Sequence, residues 1–411
     1  MNLEYFIAKR LVKAKKQKSS VSAPIIKIAI IAIALGMIMM LISVATGLGL
    51  KYKIRDKISA FSGHIVITHY DNNITDVTLK PLELKQKFFP EFKDVSGIKK
   101  VQPYASKAGI IRTETAFEGI VYKGVDSLYD LKEIKDYLTE GRLPKFDKAM
   151  SNEVLLSEYM ANRLGFKLGD KMTTYFMKDW GNKMPNVRQF EIVGIFNSGL
   201  QQFDENIVIG DLRHVQRLNR WSENQVGGFE VILDDFDKIE EKGQEVYLSL
   251  PSTIDGKTII DKYANIFSWI EMFDFNIIII IVIMIAVASI NMIVVLLVLI
   301  LERTQMIGIL KAQGANNWRI RKIFLYQASY IIFRGLLFGN AIGLGLLYLQ
   351  KYTGLIQLDP SAYYVREAPV LIRFTDVLLL NVGVILIAML VLLIPSYLIT
   401  KISPVKAIRY D

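Results

Sequence analysis

The chain of 411 residues is 52% hydrophobic, carries 50 Lys and Arg against 40 Asp and Glu, and has no cysteine. Disulfides, thiolate metal sites and thiol nucleophiles are therefore excluded. Its formal charge of +10 would suit a nucleic-acid binder only if the basic residues gathered on one soluble surface, and they do not.

In residues 1–24, Leu3, Ile7, Leu11 and Ala14 recur at helical spacing among Lys and Arg. The pattern predicts an amphipathic helix lying in a membrane interface, the alternative being a solvated basic tail. Residues 25–50 are apolar and long enough to cross a hydrocarbon core about 30 Å thick as a helix. The block lies too far in and runs too long for a cleaved signal peptide, so it reads as retained. Residues 51–274 are polar and numerous enough to form their own core. Within them His64–Thr68, Val154–Leu156, Phe190–Phe196 and Phe229–Leu233 read as strands, with others around Val101, Ile110 and Ile120. Leu82–Phe92 and Glu158–Leu164 read as short helices, and Gly165–Asp170 as a turn into a strand. An α+β domain is expected, with a division into two lobes near residue 130 or 185 as one arrangement. Asp261–Asp274 reads as helix continuous with the second span, 275–301, whose run Ile277–Val282 has no polar face. A basic segment, 302–322, leads to the third span, 323–349. A loop, 350–376, the fourth span, 377–399, and a tail, 400–411, complete the chain. The expected fold is membrane α-helical, with four transmembrane helices and a large α+β extracytoplasmic domain inserted between helices 1 and 2.

Charge orients these spans. Lys9, Arg10, Lys13, Lys15, Lys16, Lys18 and Lys27 precede or enter the first span against Glu4 alone. Arg303, Lys311, Arg319, Arg321 and Lys322 face only Glu302 between spans two and three, and Lys401, Lys406 and Arg409 face Asp411 at the end. Short basic loops stay in the cytoplasm, which places both termini and the 302–322 segment inside and residues 51–274 outside. The outer segment is nearly balanced, with 31 basic and 34 acidic residues. The excess positive charge thus lies at the cytoplasmic edge, where anionic lipid and not nucleic acid is the expected partner.

No catalytic or metal constellation stands out, and no cofactor is expected. Pro251–Thr258 ends in Gly256-Lys257-Thr258 but has proline where a phosphate-binding loop needs its leading glycine. His64, His69 and His214 are too few for a zinc site without cysteine. In the third span Gly335, Gly339 and Gly343 form a repeated small-xxx-small pattern that lets helix backbones approach closely in lipid. Arg334, in the same span, is either a functional cation or one satisfied by a carbonyl or by reaching the interface. The most specific stretch is Glu302–Ile320. It reads as a short helix with Met306, Ile307, Ile309 and Leu310 unsheltered by lipid, broken at Gly314, with Asn316 or Asn317 capping a second helix through Trp318. A protein partner or the membrane surface would cover its apolar tip.

That stretch, with Phe324-Leu325-Tyr326-Gln327 after it, resembles the coupling region of FtsX-like ABC permeases, and among them the LolC/LolE-type lipoprotein-releasing permeases. The likeness runs along nearly the whole chain: Thr46–Leu50, Gly63–Ile67, Gly141–Pro144, Leu168–Asp170, Val193–Phe196, Leu358–Tyr364, Pro395-Ser396 and Ser403–Arg409. It implies a type VII (MacB-like) system of the bacterial inner membrane, in which a separate cytoplasmic ATPase docks on each of two permeases. The second permease is a copy or a paralogue. The implied ATPase contacts are Arg303, Gln305, Met306, Ile309, Leu310, Lys311 and Gly314. The implied cargo is a lipoprotein, handed to a periplasmic carrier. Residues 178–188 occupy the place of the carrier-capturing loop, with Trp180, Met184, Pro185 and Arg188 as contacts; a plain hairpin connection is the alternative. Acyl chains are expected between Met40, Val44 and Leu48 of span one and Met284 and Val287 of span two. The chain itself is expected to be a non-catalytic subunit that transmits ATPase motion outward. The rival within the family is a regulatory permease acting on a cell-wall hydrolase or an efflux partner.

Overall fold

The computed structural model describes residues 3–13, 22–114, 116–147, 149–177 and 184–402. It sorts into two compact units, one holding the long apolar helices and the other Tyr52–Ser268 with Leu358–Arg366.

In the helical unit the long helices are Ser22–Ser62, Ala264–Glu302, Asn317–Thr353 and Phe374–Ser396, the last followed by a turn at Leu398–Lys401. All are long and apolar enough to cross a membrane. The first three outrun the apolar blocks because apolar length marks the thickness of hydrocarbon, while a helix continues wherever its backbone stays bonded. Helix Ser22–Ser62 shows this. Past the apolar block its residues Ile54, Ile58 and Phe61, which belong to the sheet unit, remain fully buried at helical spacing. The helix expected from Asp261 starts instead at Ala264. A separate turn, Ile259–Lys262, precedes it, capped by Thr258, whose hydroxyl accepts from the Asp261 N–H.

Helices Ser22–Ser62 and Asn317–Thr353 pack in parallel along the glycine stripe. A Cβ on Gly335 would lie 2.7 Å from Ile33, one on Gly339 2.7 Å from Met37, and one on Gly343 3.0 Å from Leu41. Helices Asn317–Thr353 and Phe374–Ser396 are held in register by Asn340 and Asn381, whose amides exchange hydrogen bonds of 2.7 and 3.0 Å. Lys51 and Asp274 pair at 2.6 Å, tying the first helix to the second. The N-terminal helix Leu3–Lys13 lies on Asn317–Thr353, with Tyr5 edge-on to Tyr326 at 5.9 Å.

In the sheet unit the strands are β1 (Ile65–His69), β2 (Leu82–Glu83), β3 (Ile98–Arg112), β4 (Phe117–Val125), β5 (Leu138–Gly141) and β6 (Glu153–Ser157). They continue as β7 (Lys171–Phe176), β8 (Asn186–Phe196), β9 (Ile207–Asp211), β10 (Gln225–Val226), β11 (Gly228–Leu233) and β12 (Ile254–Thr258). Strand β7 pairs with both β3 and β8, so β3, β4, β9, β6, β8 and β7 close into a ring, from which β11, β1 and β12 extend. Two lobes divided near 130 or 185 do not form, because β3 and β4 pair with β11 and β9 from far along the chain. Nor is Leu82–Phe92 a helix. Its first residues are β2, and Phe88 and Phe89 turn onto Phe229 at 5.2 and 5.3 Å, a burial that outweighs the helical spacing. Helix Glu158–Leu164 forms where expected, between the Ser157 cap and Gly165 at φ 75°. The 350–376 loop is divided: Leu358–Arg366 belongs to the sheet unit, where Lys57 Nζ donates to the Tyr364 carbonyl at 2.8 Å and Arg366 pairs with Glu158 at 3.1 Å.

Each histidine is engaged locally. His69 Nδ1 accepts from the Asp71 N–H, His214 Nε2 donates to the Ser151 carbonyl, and His64 Nδ1 accepts from the Leu233 N–H at 3.0 Å. Burial, with Arg55 and Lys99 near, holds the His64 pKa at about 4 against an ordinary 6.5. The unfolded chain takes up that proton first as pH falls, so the stability from neutral His64 is complete above pH 6.5 and lost progressively toward pH 4. The loss reaches at most about 3 kcal/mol. In His64→Asn, which keeps an acceptor but does not titrate, stability should fall less steeply over this range. Urea unfolding at stepped pH measures this, and an unchanged slope would remove His64 from the account.

Candidate coupling site

Between the second and third long helices the chain forms a short helix, Thr304–Ala312, then a turn, then the Asn317 helix start. Gly314 takes φ +87°, a left-handed conformation that suits glycine, and the Gly314 N–H donates to the Lys311 carbonyl at 3.0 Å. Asn316, one of the two candidates, is the cap: its Oδ1 accepts from the Arg319 N–H at 2.8 Å.

The residues assigned to ATPase contact divide between two faces. Gln305, Ile309 and Gly314 are exposed, and Ile309 keeps 45% of its surface free. Arg303 is half-buried. Met306 and Leu310 turn inward with the fully buried Ile307, against a core that includes Ile320 and Ile399. Lys311 also turns inward, donating to the carbonyls of Ile399 at 2.7 Å and Ile402 at 2.8 Å. Burial lowers the pKa of its ammonium. The accessible surface therefore includes Gln305, Ile309, Ala312, Gln313 and Gly314, with Trp318 half-exposed on the next helix. Gln313 and Trp318 stand in the same motif, but the sequence offered no reason to prefer them. Only the inward packing of their neighbours singles them out.

The residues assigned to an acyl cleft are not brought together. Met40 is buried in the helical core, Met284 packs against that core half-buried, and Val287 is exposed on the outer side of its helix. Val44 lines a narrow recess with Leu41, Ala45, Leu347 and Leu380, while Leu48 is half-buried. Spans one and two are in ordinary packing contact at this level, a Cβ built on Gly36 lying 3.9 Å from the Met284 carbonyl. Arg334 lies on the outside of its helix with its guanidinium 4.6 Å over the Tyr330 ring, one turn back toward the N-terminus.

The carrier-loop segment connects β7 to β8. Met184 and Pro185 are exposed, and Arg188 is half-buried in β8, its Nη1 donating to the Val187 carbonyl at 3.1 Å. Trp180 lies outside the described residues. Exposed Val187 stands opposite Tyr175 of β7, which stands opposite Ile110 of β3, an apolar row made by the β7–β8 and β3–β7 pairings.

The family model for the FtsX-like permease C-terminal region matches residues 278–404, and that for the MacB-like periplasmic core domain matches residues 28–256. This chain is an FtsX-like permease with a MacB-like periplasmic core. Its inserted α+β domain is accordingly periplasmic. The permease is similar to the lipoprotein-releasing system transmembrane protein LolE of Haemophilus influenzae, 23% identical over 99% of each chain. It is also similar to LolC of Xylella fastidiosa, 22% identical over 63% of this chain and 65% of that protein. Among solved structures, the extracellular domain of the ABC-type transporter YknZ from Gram-positive bacteria aligns with 47% of this chain and 99% of its own, at 16% identity and a TM-score of 0.31. An FtsX-like permease is the membrane component of an ABC transporter, which implies a cytoplasmic ATPase and a second permease subunit.

Proposed function

We propose that this permease extracts lipoproteins from the outer leaflet of the inner membrane and passes them to a periplasmic carrier, driven by a partner ATPase. The observation that carries this reading is the similarity to LolE, 23% identical over 99% of both chains. The chemistry supports it. Exposing an acyl chain costs about 0.8 kcal/mol per methylene, so pulling a multi-chain lipid anchor out of the bilayer needs an external energy source. ATP binding would draw two ATPases together, shift the Thr304–Ala312 helices on both permeases, and move the periplasmic domain. Both termini are then cytoplasmic, as the basic loops require. Lipoprotein chains would meet the outward side of helix Ala264–Glu302 near Val287, with Met184 and Pro185 offered to the carrier.

Depletion should leave lipoproteins in the inner membrane. Normal outer-membrane sorting would overturn the proposal, and sorting intact with altered cell-wall cleavage would replace it with the regulatory reading. For docking, Ile309→Asp places a charge on the exposed apolar side chain and should abolish co-purification of the ATPase. Unchanged recovery would move the docking face elsewhere. Met306→Asp is a poor test, since it lodges a charge against the helical core.

A further inference from the structure

We propose that Lys311 is a positioning residue, the joint through which the coupling helix moves the C-terminal end of the fourth spanning helix, and not a contact to the ATPase. The proposal rests on the reading of Thr304–Ala312 as the ATPase-driven element.

A helix end leaves carbonyls without intrahelical partners. The fourth helix carries Pro395, which has no N–H to give, and it breaks into the short Leu398–Lys401 turn. The carbonyls of Ile399, Thr400 and Ile402 converge there, and Lys311 Nζ lies 2.7, 3.4 and 2.8 Å from them. An ammonium has three donors and no acceptor, so this cradle occupies it fully. It also places a cation at the negative end of the helix dipole. Below the ammonium, Ile307 and Ile399 are both fully buried in one apolar core. The two segments, 88 residues apart in sequence, therefore share a polar tie and an apolar seat. On the opposite side of the same short helix Ile309 stays exposed. One side takes the push and the other hands it on.

Such a joint requires the coupling helix and the end of the fourth helix to move as one body. The chain has no cysteine, so spin labels can be placed cleanly at the exposed positions Ala312→Cys and Lys401→Cys in the full permease–ATPase complex. With Lys311 present the label separation should stay the same with and without a non-hydrolysable ATP analogue. In Lys311→Met it should broaden and shift on adding nucleotide, while the ATPase still co-purifies. Release of lipoprotein from proteoliposomes per ATP hydrolysed should drop in the same variant. A separation that changes in the unsubstituted protein, or one unaltered by Lys311→Met, overturns the proposal. So does loss of the ATPase from Lys311→Met with the permease folded, which would make Lys311 a docking contact. Should Lys311→Met not accumulate, Lys311→Gln keeps two donors and should give an intermediate broadening, and an unaltered separation in it is equally fatal. If the intact complex releases no lipoprotein yet the label result holds, the cargo assignment fails and the joint stands.

Discussion

Lys123→Met should destabilise the periplasmic domain by about 3–5 kcal/mol, because it strands a carboxylate in the core. Lys123 on β4 and Glu230 on β11 have side chains 8% and 3% exposed and form an ion pair. The Lys123 ammonium also donates to the Phe61 carbonyl at 2.6 Å and to Tyr129 Oη at 2.9 Å, and Tyr129 Oη donates to the second Glu230 oxygen at 2.6 Å. Burial lowers the pKa of Lys123, and its partners hold the proton in place against that tendency. The knot joins two strands to the last turn of helix Ser22–Ser62, so its loss should loosen the helix end as well as the sheet. With Lys123 removed, the Glu230 carboxylate loses its ion-pair partner while its side chain stays 3% exposed. The double replacement Lys123→Met with Glu230→Leu removes both charges and should recover most of the loss. Urea unfolding of the purified permease, followed by protease resistance of the periplasmic domain, measures both. A loss from Lys123→Met under about 1 kcal/mol would place the pair with exposed, weakly contributing ion pairs.

Gly339→Leu should nearly abolish folded permease in the membrane, whereas Gly345→Leu should leave its yield close to the parent. The two positions lie on one helix, six residues apart in sequence, and differ in what they face. A Cβ at Gly339 would stand 2.7 Å from the Met37 Cβ and 2.9 Å from the Ala34 carbonyl, while one at Gly345 meets nothing within 4 Å. A clash with a flexible side chain can relax, but the Ala34 carbonyl is backbone and moves only if the helices part. Overpacking of this kind costs roughly 1–3 kcal/mol where a core can yield. Here it also forfeits the close van der Waals contact that lipid cannot replace. Detergent-extracted yield and thermal aggregation read the outcome, and equal behaviour of the two variants would refute the role of the stripe.

Some of this was legible beforehand because the physics is local. Four apolar blocks must be buried in lipid, so spans could be read from composition. Phe190–Phe196 and Phe229–Leu233 carry a strand signature, and Ser157 with Gly165 brackets a helix by capping chemistry alone. The Glu302–Ile320 stretch likewise marked the short helix Thr304–Ala312 and its break at Gly314. The failures share a cause. Leu82–Phe92 has helical spacing, yet its two phenylalanines gain more by packing on Phe229 than by forming a helix. Nothing near Asp261 in the sequence forbids a continuous helix, but the Thr258 cap starts a separate turn.

By itself the amino-acid sequence determined that this is a four-span permease with a large inserted domain, since hydrocarbon thickness, basic loops and local motifs act through neighbours in the chain. Tertiary structure alone decided that β3, β4, β9, β6, β8 and β7 close into a ring, that Met306 and Leu310 point inward while Ile309 stays free, and that Lys311 reaches the Ile399 carbonyl 88 residues away. Each of those outcomes depends on which distant surface a residue meets when the chain collapses. Side-chain identity states what a group needs, and only the fold supplies the partner that meets the need.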